Sequence, residues 1–277
     1  MKFGIAIFPT DYAISMTELA PAVEERGFES LWVAEHSHIP TSRQTPWPGG
    51  PELPKHYWHT IDPFIAVTVA ALASKTLKVG TGICLLIQRD PIHTAKDAAS
   101  VDLVSEGRFI FGIGAGWNRE EMADHGTDFS TRWKLLREKT EAIKAIWSND
   151  VAEYHGEMVD FGPMWAWPKP AQKPHPPVIL GGSGPKILER VVRYADGWMP
   201  NRGEVLERIP ELERMAQEAG RGRIPVTYYP RASAEEIERC AKAGVDRLIW
   251  YVPADGRAAA LSRLEDLAKM VRPYLKD

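Results

Sequence analysis

Two histidines one residue apart, His36 and His38 in WVAEHSHIP, follow a short apolar run and stand beside Glu35. Imidazole changes charge near neutral pH, so a histidine here can shuttle a proton or steady a developing charge. An H-x-H pair is also a metal-ligand arrangement, but a metal site needs further ligands, and no histidine follows His175. The spacing therefore argues against a metal. It leaves His36, with Glu35, as a proton-handling pair, or His36 as an ordinary hydrogen-bonded histidine.

Three glycine groups could bring bare backbone up to a ligand. FIFGIGAGWN places Gly112, Gly114 and Gly116 around Ala115, just before Trp117 and Asn118. VGTGI carries Gly80 and Gly82, followed by Ile83, and GGSGPK carries Gly181, Gly182, Ser183 and Gly184. Glycine permits close approach of any kind, so a bound cofactor and layer packing inside a barrel both account for the run at 112–116. A dinucleotide fingerprint would need glycine at 117, where Trp117 stands. GGSG is the better anion site, because free N–H groups at a helix start attract phosphate. An ordinary strand-to-helix turn is the alternative.

The elements that must position these groups alternate along the chain. Apolar strands are expected at 2–8, 30–33, 77–86, 108–114, 177–182, 196–200, 224–229 and 246–252, each followed by a helical pattern. Ser15 with Glu18, and Ser233 with Glu236, have capping-box spacing, and Asp62-Pro63 reads as an N-cap followed by a first-turn proline. Eight strand–helix units in 277 residues fit a single (β/α)8 TIM-barrel domain over 1–277. A doubly wound sheet shares the alternation, but the count of eight and the even composition favour the barrel. Strand ends then form the active face.

Two segments exceed the minimal barrel. Residues 36–60 follow strand two, are rich in Pro, Gly, His and Trp, and read as a lid on the active face. Residues 149–177 precede strand five and start from the opposite face, with length enough to wrap round. Trp47, Trp58, Trp165 and Trp167 are the candidate lid aromatics, with Trp58 assigned to the substrate pocket.

The formal net charge of −3 gives no electrostatic case for nucleic acid or an anionic membrane. Cys84 and Cys240 are far apart and fit free thiols in a cytoplasmic protein. No apolar run approaches the roughly 20 residues of a membrane span.

FESLWVAEHSHIP, LKVGTGICLL, RDPIHTAKDAASVDLVSEGRFIFGIGAGWNREEM and PPVILGGSGPKILERVVRYADGWMP together resemble the bacterial luciferase-like superfamily. GIGAGWNREEM with LGGSGPK is most similar to its branch of coenzyme F420-dependent oxidoreductases; FMN-dependent members share most of the motifs. The resemblance covers residues 2 to about 200 and is weaker beyond. It implies a TIM barrel with a tricyclic cofactor across the mouth, held by Gly82, Ile83, Gly114, Ala115, Gly116, Asn118 and the phosphate cradle Gly181, Gly182, Ser183 and Gly184. It implies a non-proline cis peptide at Gly82-Ile83, His36 with Glu35 near the reacting centre, a homodimer, and a separate reductase for the cofactor. Some deazaflavin dehydrogenases carry a catalytic glutamate directly after the strand-four glycines. Here Trp117 stands there, which speaks against sugar-phosphate dehydrogenation and makes Trp117 a candidate substrate wall. The implied activity is hydride transfer between coenzyme F420 and a small organic substrate. An FMN-dependent monooxygenase and a flavin-binding protein without catalysis are the alternatives.

Overall fold

The computed structural model describes residues 1–275. In chain order the strands are β1 (Lys2–Ile7), β2 (Ser30–Val33), β3 (Lys78–Thr81), β4 (Phe109–Ile113), β5 (Ala152–His155), β6 (Asp160–Met164), β7 (Val178–Gly181), β8 (Gly197–Met199), β9 (Thr227–Tyr228) and β10 (Arg247–Tyr251). All but β5 and β6 lie in one parallel sheet, ordered β8-β7-β4-β3-β2-β1-β10-β9. A parallel bridge between Trp198 and Val226 joins its ends and closes the barrel. The helices are α1 (Met16–Glu25), α2 (Pro63–Ala73), α3 (Pro91–Val104), α4 (Arg119–Asp124), α5 (Arg132–Ser148), α6 (Ile187–Tyr194), α7 (Val205–Glu218), α8 (Ala234–Lys242) and α9 (Arg257–Val271).

Local chemistry explains the helix starts. Asp62 accepts the Phe64 N–H at 2.8 Å ahead of Pro63, and Asp90 accepts the His93 N–H at 2.8 Å ahead of Pro91. Ser233 accepts the Glu236 N–H as its spacing predicts. Ser15 does not cap α1 with its side chain: its hydroxyl pairs with that of Thr17 at 2.9 Å.

Side chains alternate across the strands. One set, including Ile5, Leu31, Val79, Phe111 and Leu180, packs outward under the helices. The other set, Ala6, Trp32, Ile110, Ile179, Met199 and Ile249, fills the barrel. Trp32 is the largest of these, fully buried, with Nε1 donating to Ser30 Oγ at 2.9 Å. A Cβ on Gly80 would lie 2.7 Å from its ring, so that glycine makes room for indole. Burial of a side chain this size contributes about 2–3 kcal/mol.

Residues 149–177 are not a plain loop. They hold the antiparallel β5–β6 hairpin, docked along α5 by Tyr154 Oη donating to Glu141 (2.7 Å) and Met158 N donating to buried Glu138 (2.7 Å). A surface hairpin shows almost no apolar alternation, which hides it in the sequence.

Candidate active site at the barrel mouth

The end of β2 delivers Glu35 and His36, and the two side chains part. Glu35 is buried and accepts from Leu85 N and Arg89 Nε, both at 2.6 Å. Arg89 also bonds Asp62 at 2.5 Å, so this ion-paired group ties β2 to the turn after β3 and to the start of α2. The sequence pairing of Glu35 with His36 is therefore corrected: its carboxylate is spent on Arg89.

The carboxylate that reaches His36 belongs to Glu121, 1% exposed, with Oε2 2.8 Å from His36 Nδ1. Its Oε1 accepts the Ser37 N–H at 3.2 Å. A buried carboxylate on Nδ1 fixes the imidazole plane and leaves Nε2 to exchange a proton. Nε2 has no protein partner among the described residues. The His36 carbonyl accepts Thr60 Oγ1 at 2.7 Å, which pins both roots of the lid together.

Sequence reading passed over α4, yet α4 organises the mouth. Asn118 is its N-cap, fully buried, with Oδ1 accepting the Glu121 N–H and Nδ2 left without a partner. Glu120 accepts the lid amides of Gln44 (3.0 Å) and Thr45 (3.1 Å). Desolvation opposes it, but these hydrogen bonds bring the Glu120 carboxyl down to about 2. Asn118 with Glu121 three residues on has capping-box spacing, and that signal could have found the helix.

In the lid, the 3-10 turn Lys55–Trp58 lays Tyr57 over the mouth. Its ring is 5.0 Å from His36, 6.2 Å from Trp117 and 5.7 Å from Trp47, while His56 lies tilted against Phe8 at 4.2 Å. Trp117 meets His36 edge-on at 5.9 Å. Trp58 is corrected: it is 49% exposed, because adjacent residues of a tight turn face different ways and Tyr57 takes the inward one. Trp165 and Trp167, 82% and 54% exposed, lie in or just after the hairpin on the outer surface and not in the lid.

The glycines divide. A Cβ on Gly112 would lie 2.0 Å from the Thr81 carbonyl oxygen, and one on Gly114 2.1 Å from Ile83 Cδ1. Gly181 faces the same Ile83 side chain at 2.9 Å. Ile83, after the cis Gly82-Ile83 peptide, thus closes the barrel core from above. At 112, 114 and 181 the missing side chain makes room for the protein itself. Gly82 lies under Tyr229, whose hydroxyl would be 2.7 Å from a Cβ there. Burial holds that phenol well above its ordinary value, so Tyr229 stands at the mouth as a neutral donor that sequence reading missed. Ala115 is buried, and Gly116 turns the chain at φ 61° towards Trp117.

In the GGSG loop, Gly182 N donates to Met199 O at 3.3 Å. The N–H groups of Ser183 and Gly184 have no protein acceptor among the described residues, and nothing lies within 4 Å of a Cβ built on Gly184. The open part of this loop is therefore residues 183–184.

His36 and His38 turn to different partners, the latter to Asp124 at 2.9 Å. Among the described residues no three His, Cys, Asp or Glu side chains gather as a metal-binding group. Burial raises the Cys84 thiol well above its ordinary value, so it is no thiolate nucleophile. No helix among the described residues is long and apolar enough to cross a membrane.

A closed barrel with a lidded mouth, a carboxylate-backed histidine and an open glycine loop can be set beside known proteins. The model of the luciferase-like monooxygenase family matches residues 1–274. The chain belongs to that family. An uncharacterized protein of Mycobacterium tuberculosis is 37% identical over 275 residues, covering 95% of this chain and 97% of its own. Among solved structures, monooxygenase RslO1 of Streptomyces bottropensis superposes with a TM-score of 0.81 at 18% identity, over 100% of both chains. The coenzyme F420-dependent tetrahydromethanopterin reductase of Methanopyrus kandleri gives 0.78 at 20% identity, over 99% of both. The FMN-bound oxygenating constituent of 3,6-diketocamphane monooxygenase from Pseudomonas putida gives 0.66 at 19% identity, over 88% of this chain and 71% of that one. The chain is thus a luciferase-like oxidoreductase.

Proposed function

We propose that this enzyme transfers hydride between coenzyme F420, bound at the barrel mouth, and a small organic substrate held under the Tyr57 lid. The observation that carries the reading is the His36 and Glu121 pair: a buried carboxylate fixes one imidazole nitrogen and leaves the other for a proton. A barrel that only bound a flavin would have no use for that arrangement. The residues present fit a phosphate-bearing tricyclic cofactor, since Ser183 and Gly184 offer unspent amides and Ile83 an apolar floor.

When bound, the cofactor supplies the carbon that gives or takes hydride. The chain does the rest. His36 Nε2 donates or accepts the proton that accompanies reduction or oxidation of the substrate. Trp117 and Tyr57 wall the substrate and exclude water. Glu35, through Arg89 and Leu85, holds the β3 end and is a positioning residue. Asn118 acts by capping α4 and so placing Glu121.

An FMN-dependent monooxygenase is the second reading, favoured by the likeness to RslO1 over the whole chain. Oxygen separates the two: the F420 reading predicts turnover that is the same in air and under nitrogen. The outward faces of α2 and α3 expose Ile65, Leu72, Leu103 and Val104 at 45–69%. We assign them to the homodimer contact, which light scattering would check. A separate reductase would restore the cofactor.

The test of the reading is His36→Ala. Single-turnover oxidation or reduction of bound cofactor should slow by about 10²–10⁴-fold while cofactor affinity stays within a factor of about two. Glu121→Gln, which keeps a hydrogen-bond acceptor but removes the charge, should slow it by about tenfold. A wild-type single-turnover rate in His36→Ala would overturn the assignment.

A further inference from the structure

We propose that Arg190, Arg132 and Arg119 form a second anion site beside the glycine loop, built for a chain of carboxylates that continues beyond the cofactor's phosphate. The inference rests on the deazaflavin reading above and deepens it.

The row starts at the loop. Trp133 Cη2 is 3.5 Å from where a Cβ of Gly182 would lie, and the Arg190 guanidinium carbon sits 4.1 Å from the Trp133 ring centre. Arg132 is 5.9 Å from the same ring and 3.5 Å from Phe129, and Arg119 is 4.3 Å from Phe129. Cations and rings therefore alternate from residue 182 to the start of α4. Stacking on a ring orients a guanidinium but neutralises nothing.

The three charges have no counter-ion. Among the described residues no Asp or Glu comes within ion-pair distance of Arg119, Arg132 or Arg190, whereas Arg89, Arg223, Arg247 and Arg257 are all paired. Arg132 Nε is buried and without a partner, and only its Nη1 is used, on the Phe129 carbonyl. Burial, then Arg190 and Arg119, push the Arg132 pKa below its ordinary value. Three like charges gathered without relief cost stability, and nothing in the packing of α4, α5 and α6 calls for them. A bound polyanion would relieve them, and arginine matches carboxylate geometry with two parallel hydrogen bonds.

The two candidate cofactors differ at this place. FMN ends at its phosphate. The deazaflavin continues past the phosphate as a lactyl group and an oligoglutamate tail with a carboxylate on each unit. The row of arginines leads away from the loop and so has a use only for the second.

Fluorescence titration tests this with three probes: deazaflavin carrying a long glutamate tail, the same cofactor with the phospholactyl group but no glutamates, and FMN. In the double variant Arg119→Gln with Arg190→Gln, affinity for the long-tailed cofactor should fall about tenfold and lose much of its salt dependence. Affinity for the tail-less form should not change, which also shows that the variant is folded. Arg119→Gln alone, at an exposed position, should give a smaller loss of the same tail-dependent kind. Equal losses for the tailed and tail-less forms would assign the arginines to the phosphate and overturn the proposal, as would no loss for either. Wild-type protein that binds FMN and neither deazaflavin would refute the cofactor reading itself.

Discussion

The two ends of this barrel are built from similar residues with opposite bookkeeping. At the N-terminal end the acidic groups are engaged. Asp196 accepts Val178 N (2.9 Å) and Lys144 (3.1 Å), and Asp246 accepts Val226 N (2.8 Å) and Arg223 (2.6 Å). Glu24 collects the amides before β3, and Arg247 closes the barrel floor with two 2.8 Å bonds to Glu29. At the mouth the corresponding groups are left over: His36 Nε2, Asn118 Nδ2, the amides of Ser183 and Gly184, and three arginines. One end spends its polarity on holding strands in register, and the other keeps it for something that binds. That division is the usual one between the stabilising and the active face of a TIM barrel.

Arg247→Ala should have the largest effect on the fold. It leaves Glu29 with only the more distant Lys2 at 3.8 Å and should cost about 2 kcal/mol in urea unfolding, with cofactor affinity of the folded fraction unchanged. A loss of affinity at unchanged stability would break the division between the ends. Next comes a contrast inside the mouth. Gly182 has φ 131° and a Cβ there would lie 3.2 Å from Ile187, so Gly182→Val should destabilise by about 1–3 kcal/mol. Gly184 has open space around it, so Gly184→Val should leave stability within about 0.5 kcal/mol and weaken cofactor binding instead. Unchanged affinity in Gly184→Val would remove the loop from the cofactor site.

The smallest effect is in acid. Burial lowers the His56 pKa from 6.5, with Asp255 opposing and His36 adding to the shift. A folded pKa below the unfolded one means that protonation favours the open lid, so lid stability is lost as pH falls below 6.5. Glu24 behaves otherwise. Burial raises it, but hydrogen bonds from Thr76, Lys75 and Leu77 outweigh that and bring it from 4.5 to about 2. Its contribution is lost only as pH falls from 4.5 towards 2. Hydrogen exchange should therefore show residues 55–58 loosening at a higher pH than the segment before β3. The reverse order would contradict this account of the lid.

The barrel was legible because eight apolar runs separated by capped helices leave few alternatives, and Asp62-Pro63 and Ser233 cap as their spacing implies. The Gly82-Ile83 cis peptide followed from the family resemblance and is present. What sequence hid depends on which way neighbours turn. Glu35 adjoins His36 in the chain but faces Arg89, while Glu121 arrives from 85 residues away. Tyr57 and Trp58 are equally aromatic, and only the turn between Lys55 and Trp58 decides that Tyr57 points in. The glycines told that something came close, but not that at 112 and 114 it was Thr81 and Ile83. The arginine row drew no notice, because Arg119, Arg132 and Arg190 meet only when α4, α5 and α6 are assembled.

The central claim is that the unspent groups at the mouth are there for a phosphate-bearing flavin-type cofactor. Titration of the purified protein with coenzyme F420 and with FMN, followed by cofactor fluorescence, tests it most directly. Saturable binding of coenzyme F420, stronger than that of FMN and weakened by Gly184→Val, is the predicted result. Binding of neither cofactor would contradict the account.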